Sequence, residues 1–487
     1  MVFSELYFVF GFFPLFFLCY YLFGKLFGLR GKNVTLFLFS LFFYAWGEPV
    51  YVLLMFYSTI LDYTCGRIIE KGHNTENQRL KKTGLIISLV GNLGLLCTFK
   101  YLDLFIETLN YIPKVNLPLA EIALPIGISF YTFQTMSYSI DVYYGKVKAQ
   151  HDIVTFGTYV TMFPQLIAGP VVRYSTVEAE LMGRVENIDG FSNGLRRFIV
   201  GLGKKVIIAN SMASIADGLY NPLNPAASTA HNISELGVIG SWVVIIAYTL
   251  HIYFDFSGYS DMAIGMGKMM GFKFLENFNY PYISKSITEF WRRWHISMST
   301  FFRDYVYIPL GGSRCNTLKW IRNILIVWFA TGLWHGANWT FVLWGLYFAA
   351  ILLLEKFVLG KYLKKLPVIN NIYALFLIVY GWVIFHMDNM TQIGEFTRTM
   401  FGGSGLLGDG KMNVLTLMSQ AEIGTVSVAM FVIGAIASTP ILGKLKKASE
   451  KSAVLPVLGD VALLAMFIIC VAELATGSYN PFIYFAF

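Results

Sequence analysis

Charged side chains are scarce in this sequence. Of its 487 residues only 14% are charged, whereas 56% are hydrophobic and 17% are aromatic. In soluble domains about a quarter of all residues are charged. This chain therefore lacks the polar surface that a water-soluble protein of its size needs. Apolar runs recur along the whole length, and several approach the roughly 20 residues that cross a bilayer. We therefore predict an integral membrane protein without a separate soluble domain.

Paired cysteines are also missing. The five cysteines form no CxxC pair, and Cys19, Cys97 and Cys470 lie within apolar runs, where a thiol behaves as a small hydrophobic group. Since no metal-binding or redox spacing is present, we expect no metal site and no catalytic cysteine. The N-terminus has no basic residues before its first apolar stretch, so we interpret that stretch as a retained span and not as a cleaved signal.

The positive charge is dispersed between the apolar spans. The formal net charge is +8, and its lysines and arginines occur in short segments such as residues 25–32 and 67–82. A nucleic-acid-binding protein would cluster them on one polar face, so we predict no nucleic-acid partner. The pattern is typical of the cytoplasmic excess of Lys and Arg that sets membrane topology. We expect a multi-pass protein of the plasma or inner membrane, with the lipid bilayer as its surroundings.

Proline and glycine interrupt many of the apolar runs, for example at Glu48-Pro49, Phe163-Pro164 and Gly169-Pro170. Non-helical backbone at membrane depth is tolerated only where protein or a water-filled cavity covers it. The breaks therefore predict a chain that encloses a cavity.

Run lengths predict about 11 crossings. From Asn193 to Ala216, basic residues mix with apolar ones at helical spacing, which predicts an interfacial helix whose lysines and arginines extend toward water. The predicted fold is a single all-α membrane domain over residues 1–487, with transmembrane, re-entrant and interfacial helices.

Two of the seven histidines are candidates for catalysis. His335 lies in ATGLWHGANW, and His295 lies in the charged segment FWRRWHISMSTFFRDYVYIPLGG. When a hydroxyl attacks a thioester, a base must take its proton, and imidazole, with a reference pKa of about 6.5, is largely neutral at cellular pH. Gly336 would leave room for a substrate beside His335. The alternative interpretation is that both are structural histidines.

Two further histidines border apolar spans. His251 lies in TLHIYFDFSGYSD near Asp255, and ionisable residues at membrane depth are costly and therefore functional candidates. His386 ends an apolar span, and an interfacial position explains it.

Arginines surround His295 in the sequence, at Arg292, Arg293, Arg303 and Arg314. Guanidinium groups bind phosphates through charge-assisted hydrogen bonds, so these residues would hold the phosphates of a donor such as coenzyme A. The alternative is an ordinary basic cytoplasmic loop.

Several long motifs resemble those of the membrane-bound O-acyltransferase superfamily, most closely its alginate O-acetylation branch. They cover nearly the whole chain: LPIGISFYTFQTMSYSIDVYYG (124–145), YFDFSGYSDMAIG (253–265), NFNYPY (277–282), WRRWHISMSTFFRDYVYIPLGG (291–312), TGLWHGANWTFVLWG (331–345) and NPFIYFAF (480–487). The resemblance implies a many-helix fold in which a cytoplasmic funnel and an outer funnel meet near the catalytic histidine. It assigns that role to His335 and the second polar position to His295. We assign substrate binding to the residues around them, namely Arg292, Arg293, Arg303, Asp304, Asp255, Trp334 and Asn338.

The resemblance also implies the function. We expect an O-acyltransferase that moves an acyl group, expected to be acetyl, from a cytoplasmic thioester donor across the membrane for O-acetylation of an exported or cell-wall polysaccharide. Acetyl-CoA is the expected donor, with no bound cofactor. The expected partners are an exported SGNH-type acetyltransferase and the polysaccharide, which receives the group directly or through that partner.

Two other functions remain alternatives. One is D-alanyl transfer to teichoic acid, by related proteins that resemble this chain at the WHG motif but tend to be shorter. The other is a transporter, and the absence of a matched repeat between the two halves counts against it.

Overall fold

A computed structural model describes residues 1–167, 169–363, 368–408, 424–441, 443, 454–477 and 479–482. These residues form helices joined by turns and loops, and none of them is in a β-strand. The predicted all-α fold is therefore confirmed.

The chain divides into two compact units, each made of two segments. The first unit comprises Met1–Phe198 and Tyr259–Glu276, and the second comprises Ile199–Gly258 and Asn277–Phe487. A single domain over the whole chain stays a prediction.

The helices before residue 184 belong to the first unit, and their bounds are Tyr7–Phe12 (π), Phe13–Ala45, Val52–Asn74, Gln78–Leu96, Cys97–Tyr101 (π), Leu102–Asn110, Ile128–Tyr143, Ile153–Thr161, Phe163–Leu166 and Tyr174–Gly183. The unit boundaries at residues 198 and 258 fall within the helices Ile188–Gly203 and Gly237–Met269. The second unit contains Lys204–Ala209 (π), Asn210–Leu219, the 3₁₀ turns Pro225–Ala227, Ile233–Leu236 and Pro281–Ile283, and then Ile287–Arg293, Ile296–Phe302, Arg303–Tyr307 (π), Thr317–His335, Trp339–Leu354, Glu355–Leu359 (π), Gly360–Leu363, Ile369–His386, Met390–Met400, Thr425–Ala437 and Val454–Ala475.

Eight helical segments in the described part of the chain are long and apolar enough to cross a membrane. They are Tyr7–Ala45, Val52–Asn74, Gln78–Asn110, Ile188–Leu219, Ile233–Met269, Trp339–Leu363, Ile369–His386 and Leu455–Ala475. In the last of these only 6% of the most apolar window is buried, as expected for a helix whose sides contact lipid. Multi-pass membrane insertion is therefore supported, while the count of about 11 crossings stays a prediction.

The first apolar segment folds back on itself. Tyr7–Ala45 has 39 residues, which would extend about 58 Å as one straight helix, far more than the roughly 30 Å of a hydrocarbon core. Gly28, with φ of 63°, interrupts it. The ring centroids of Phe12 and Phe39 are then 5.6 Å apart, and those of Phe16 and Phe39 are 5.5 Å apart. The predicted break at Glu48-Pro49 is also confirmed, since one helix ends at Ala45 and the next begins at Val52.

The predicted interfacial helix is helical, but Lys205 does not extend toward water. Its side chain is 2% exposed, and its Nζ lies 2.8 Å from a carboxylate oxygen of Asp255. The ammonium also donates to Asn210 Oδ1 at 3.0 Å and to the Pro481 carbonyl. An opposite charge and two hydrogen-bond acceptors therefore replace the water that the prediction assumed.

Two helices, Thr317–His335 and Trp339–Leu354, form a tight hairpin. A side chain at Gly332 would overlap the Phe341 carbonyl, and one at Gly345 would overlap the Trp328 carbonyl. Glycines at such contacts allow helix backbones to approach closely. The backbones of the two helices therefore pack directly against each other, next to the turn that follows His335.

Candidate active site

His335 is the last residue of the helix Thr317–His335, and extended backbone at Gly336 ends that helix. The next helix begins at once, because the Asn338 side chain accepts the Thr340 N–H at 3.0 Å. Aromatic rings surround the half-buried imidazole, with ring centroids of Trp334 and Trp344 at 4.9 Å and of Phe385 at 5.3 Å. The His335 ring is thus held in a largely apolar setting at a helix end.

Gly336 also contributes to packing. A side chain at this position would overlap the ring of Phe341. An aromatic side chain of the next helix therefore lies where a side chain of residue 336 would be, so glycine also serves packing here, while the predicted room for a substrate stays a prediction. The sequence could not show this, because Phe341 lies one helical turn into the following helix.

His295 has an unusual backbone conformation. It lies between the short helices Ile287–Arg293 and Ile296–Phe302 and has φ of 46°. Left-handed conformations are uncommon for residues other than glycine, cost about 1–3 kcal/mol and cluster at functional sites. Asn277 holds the segment in place, since its carbonyl accepts the Ile296 N–H at 3.0 Å and its Oδ1 accepts the Ser297 N–H at 3.2 Å.

These contacts assign the tautomer of His295. The Ser297 N–H can only donate, so the Asn277 atom that it contacts must be the carbonyl oxygen Oδ1. That same oxygen lies 3.3 Å from His295 Nδ1, which must therefore carry the hydrogen. Nε2 is left as an acceptor, and this buried atom has no hydrogen-bond partner among the described residues. His295 thus presents a free lone pair.

Burial keeps His295 neutral. Its side chain is fully buried, and this burial lowers the pKa of the imidazole to about 3. The centroid of the Trp334 ring lies 5.9 Å from that of His295 and 4.9 Å from that of His335. One indole therefore contacts both of the histidines that the sequence selected.

A mostly apolar cavity of about 180 Å³, here called the Arg303 cavity, is lined in part by the helix that ends at His335. Its lining includes Ile324, Val327, Trp328 and Thr331 of the helix Thr317–His335, together with Trp291, Met298, Ser299, Phe302, Arg303 and Tyr307. The four helix residues follow the spacing of one helix face, which continues to His335 one turn after Thr331. The Arg303 cavity thus follows a helix stripe that ends at the histidine.

A second cavity of about 330 Å³, here called the Asn338 cavity, lies beyond the end of that helix. The residues directly after His335, from Gly336 to Asn338, form part of its wall. The other described residues that line it are Asp217, Asn221, Pro222, Leu223, Tyr248, His251, Thr340, Phe341, Phe385, His386, Met387, Asp388, Tyr479, Pro481 and Phe482. His335 therefore stands in the chain between residues that line one cavity and residues that line the other.

The predicted substrate-binding residues separate into different positions. Arg303 lines its cavity and bonds Asp304 at 2.7 Å. Arg293 is 2.8 Å from the Glu289 carboxylate, and Arg292 is exposed. Because neither Arg292 nor Arg293 lines the Arg303 cavity, only Arg303 of these arginines is brought beside it.

The other predicted residues also differ in what they contact. Asp255 is fully buried in its ion pair with Lys205 and is not among the residues that line the Asn338 cavity. Asn338 lines that cavity, but its Nδ2 donates to the Asp388 carbonyl at 2.8 Å and its Oδ1 caps the next helix. Asn338 therefore shapes the wall through contacts with the protein.

Sequence reasoning passed over part of the Asn338 cavity. It explained His386 as interfacial, and it noted His251 without assigning it a role. Both line the cavity. The available signal was that each is an ionisable residue within or at the end of an apolar span.

The sequence of the chain is similar to those of known proteins. The model of the membrane-bound O-acyltransferase family matches residues 11–389. The chain is 38% identical to the probable alginate O-acetylase of Pseudomonas aeruginosa over the full length of both proteins. It is 33% identical to the peptidoglycan O-acetyltransferase of Helicobacter pylori, over 83% of this chain and 81% of that protein. The teichoic acid D-alanyltransferase of Bacillus subtilis is 31% identical over 49% of this chain and 60% of its own. The resemblance read from the motifs is thereby confirmed, and the chain belongs to the membrane-bound O-acyltransferase family.

Proposed function

We propose that this protein moves an acetyl group from a cytoplasmic thioester donor, acetyl-CoA, to the outer face of the membrane for O-acetylation of an exported polysaccharide. The observation that carries the proposal is the place of His335 in the chain, between Thr331, which lines the Arg303 cavity, and Gly336, which lines the Asn338 cavity. The relatives named for O-acetylation align over the whole chain or most of it, whereas the D-alanyltransferase aligns over about half. That difference favours acetyl over D-alanyl as the transferred group.

The Arg303 cavity suits the donor. Its wall combines an arginine with the apolar surfaces of Trp291, Trp328 and Phe302. A guanidinium group can bind a donor phosphate, while the apolar walls accept the uncharged arm that carries the thioester. The volume of about 180 Å³ can take part of this arm.

Histidine supplies the proton transfer that this reaction needs. The acceptor hydroxyl oxygen attacks the thioester carbonyl carbon, a C–O bond forms and the C–S bond breaks. An imidazole takes the hydroxyl proton and returns it to the departing thiolate, so that the products are an ester and a free thiol. His335 is the proposed base. The neutral His295, with its free Nε2, accepts a hydrogen bond from the donor or the acceptor and positions it.

The distribution of lysines and arginines indicates that transfer runs from the cytoplasmic side to the outer side. The arginine-bearing segment around His295 belongs on the cytoplasmic side by the excess of Lys and Arg, so the donor enters from the cytoplasm. An exported SGNH-type acetyltransferase works with this protein on the outer face of the plasma or inner membrane.

Sealed vesicles of known orientation test this function. Labelled acetyl-CoA is supplied on one side, with and without the exported partner and the polysaccharide, and label on partner and polymer is measured. We expect labelling only when the donor is on the cytoplasmic side, and loss of labelling with His335→Ala vesicles. Efficient labelling from the outer side alone would overturn the proposed direction, and no labelling from either side would overturn the function.

A further inference from the structure

Two imidazoles in the wall of the Asn338 cavity have unused hydrogen-bonding groups. The His251 side chain is 3% exposed, and neither of its ring nitrogens has a hydrogen-bond partner in the described part of the chain. His386 Nε2 is buried and likewise without a partner there. Buried polar groups in folded proteins are nearly always hydrogen-bonded. A ligand in the cavity would supply the missing partners.

Both imidazole rings contact the ring of Tyr248. The Tyr248 ring stacks on His386 with centroids 3.9 Å apart and an interplanar angle of 28°. The same Tyr248 ring makes an edge contact with His251, with centroids 6.2 Å apart. Both imidazoles therefore pack against one tyrosine ring.

The charges of the wall select against an anion. Asp217 and Asp388 line the cavity, and none of the described residues that line it is a lysine or an arginine. The nearby ammonium of Lys205 is committed to Asp255. Because a carboxylate placed here would face like charges without a cation to offset them, the cavity suits an uncharged ligand.

The number of polar groups indicates a ligand with several hydroxyls. Asp217, His251, His386 and Asp388 contribute polar side chains to one cavity of about 330 Å³, a volume at the lower end of the range for small-molecule sites. A single serine hydroxyl has one proton and two lone pairs, which would leave most of these groups without a partner. A sugar unit can satisfy several of them at once, and the aromatic rings of Tyr248 and Phe341 provide apolar surface for its ring faces.

We propose that the Asn338 cavity is the acceptor subsite for an uncharged sugar unit, whose hydroxyls bond His251 and His386. This inference rests on the proposed function, because it takes the polysaccharide as the acceptor and names its class as neutral. His251 and His386 are positioning residues, since they hold the sugar beside the segment that carries His335. Asp217, held by the Tyr479 hydroxyl at 3.0 Å, accepts a further sugar hydroxyl.

Direct binding to the purified full-length protein in detergent tests the subsite without any donor. The probes are β-1,4-linked glucose and N-acetylglucosamine oligosaccharides, and a glucuronate oligosaccharide that differs from the glucose one only by its carboxylates. Calorimetry should show saturable binding of a neutral probe and at least tenfold weaker binding of the glucuronate. Equal or tighter binding of the glucuronate would overturn the proposal, as would the absence of binding by both neutral probes.

Variants identify the site. His251→Phe and His386→Phe should each weaken binding of the neutral probe by about tenfold, the loss of one hydrogen bond of roughly 1.5 kcal/mol. Since a buried substitution can impair folding, His386→Asn is measured as well and should retain more affinity than His386→Phe. His231→Gln is the control, because His231 is an exposed histidine and is not among the lining residues. Wild-type affinity in both phenylalanine variants would overturn the assignment.

Two further outcomes distinguish a failure of the sugar subsite from a failure of the proposed acetyl transfer. If the neutral probe binds with the expected histidine dependence but vesicles transfer no acetyl group, the function fails and the sugar subsite stands. If a serine-containing peptide binds and displaces the neutral sugar from a histidine-dependent site, the acceptor is a protein hydroxyl and the sugar assignment is overturned.

Discussion

A buried carboxylate in the first compact unit and the buried ring nitrogens of three histidines in the second differ in how their hydrogen bonding is satisfied. In the first unit Asp62 is fully buried. It accepts hydrogen bonds from Ser88 at 2.5 Å, Asn92 at 2.6 Å and Ser139 at 2.6 Å. The donors lie on two other helices, Gln78–Leu96 and Ile128–Tyr143, so the carboxylate ties three helices together.

In the second unit His251, His295 and His386 have buried ring nitrogens without a hydrogen-bond partner in the described residues. Leaving such a group unsatisfied costs about 1–3 kcal/mol, and proteins retain that cost where function needs it. The comparison separates two uses of buried polarity. A satisfied network holds helices in place, whereas unsatisfied groups beside a cavity indicate a site for a ligand.

The largest effect is expected at His335. His335→Ala should leave the protein folded and inserted, yet reduce acetyl transfer by about 10²- to 10⁴-fold, the usual loss of general acid–base catalysis. The measurement is the transfer rate per folded protein, with His231→Gln as the matched control. Activity at the wild-type level in the His335 variant would exclude it as the base.

A smaller loss is expected at His295, whose free Nε2 accepts a hydrogen bond. His295→Leu removes both ring nitrogens and should reduce transfer by about 10- to 100-fold, equivalent to one or two hydrogen bonds to a charged or polar group. His295→Asn can keep one hydrogen bond and should be milder. Equal and complete loss in both variants would show instead that His295 takes part directly in the chemistry.

A substitution at Asp62 tests whether the satisfied hydrogen-bond network stabilises the fold. Asp62→Ala leaves the Ser88, Asn92 and Ser139 donors without their acceptor, and should lower the free energy of unfolding by about 3 kcal/mol. Transfer per folded protein should stay within about twofold of the wild type, since Asp62 is structural. Thermal unfolding followed by activity at a permissive temperature measures both quantities. Unchanged stability combined with lost activity would show that a satisfied buried group can also be functional here.

The smallest effect is expected at Arg303. Its side chain is 58% exposed, and an exposed charge pair is worth at most about 1 kcal/mol. Arg303→Gln should therefore raise the KM for acetyl-CoA by about fivefold with little change in kcat, and less so at high salt. The comparison variant is Arg292→Gln, which alters an exposed arginine outside the cavity lining. An equal rise in KM for both would mean that the general basic charge, and not the cavity position, attracts the donor.

Particular residues show where prediction from sequence succeeded. His335 and His295 were selected from their local motifs, and the structure brings their rings against one indole, that of Trp334, while their roles in catalysis stay predictions. The breaks at Glu48-Pro49 and the helical stretch from residue 193 were also correct, because proline and helical spacing act within a few residues of the chain.

Other residues could not be placed in this way. Lys205 was predicted to reach water and instead pairs with Asp255, which lies 50 residues away in the sequence. Gly336 was predicted to make room for a substrate, and it also accommodates Phe341. His386 was explained as interfacial, and it also lines a cavity with His251, which comes from a distant helix. Each of these findings concerns a partner that local sequence does not specify.

The sequence by itself determined that this is an all-α membrane protein and which family it belongs to, and it predicts which histidine carries the chemistry. These properties follow from composition, from helical periodicity and from residues that are contiguous in the chain. Only the tertiary structure decided which charged groups form ion pairs and which ring nitrogens have no hydrogen-bond partner. It also decided which cavity is lined by aspartates and which by an arginine. Those properties depend on contacts between distant segments, because burial and hydrogen bonding are set by the side chains that folding brings together.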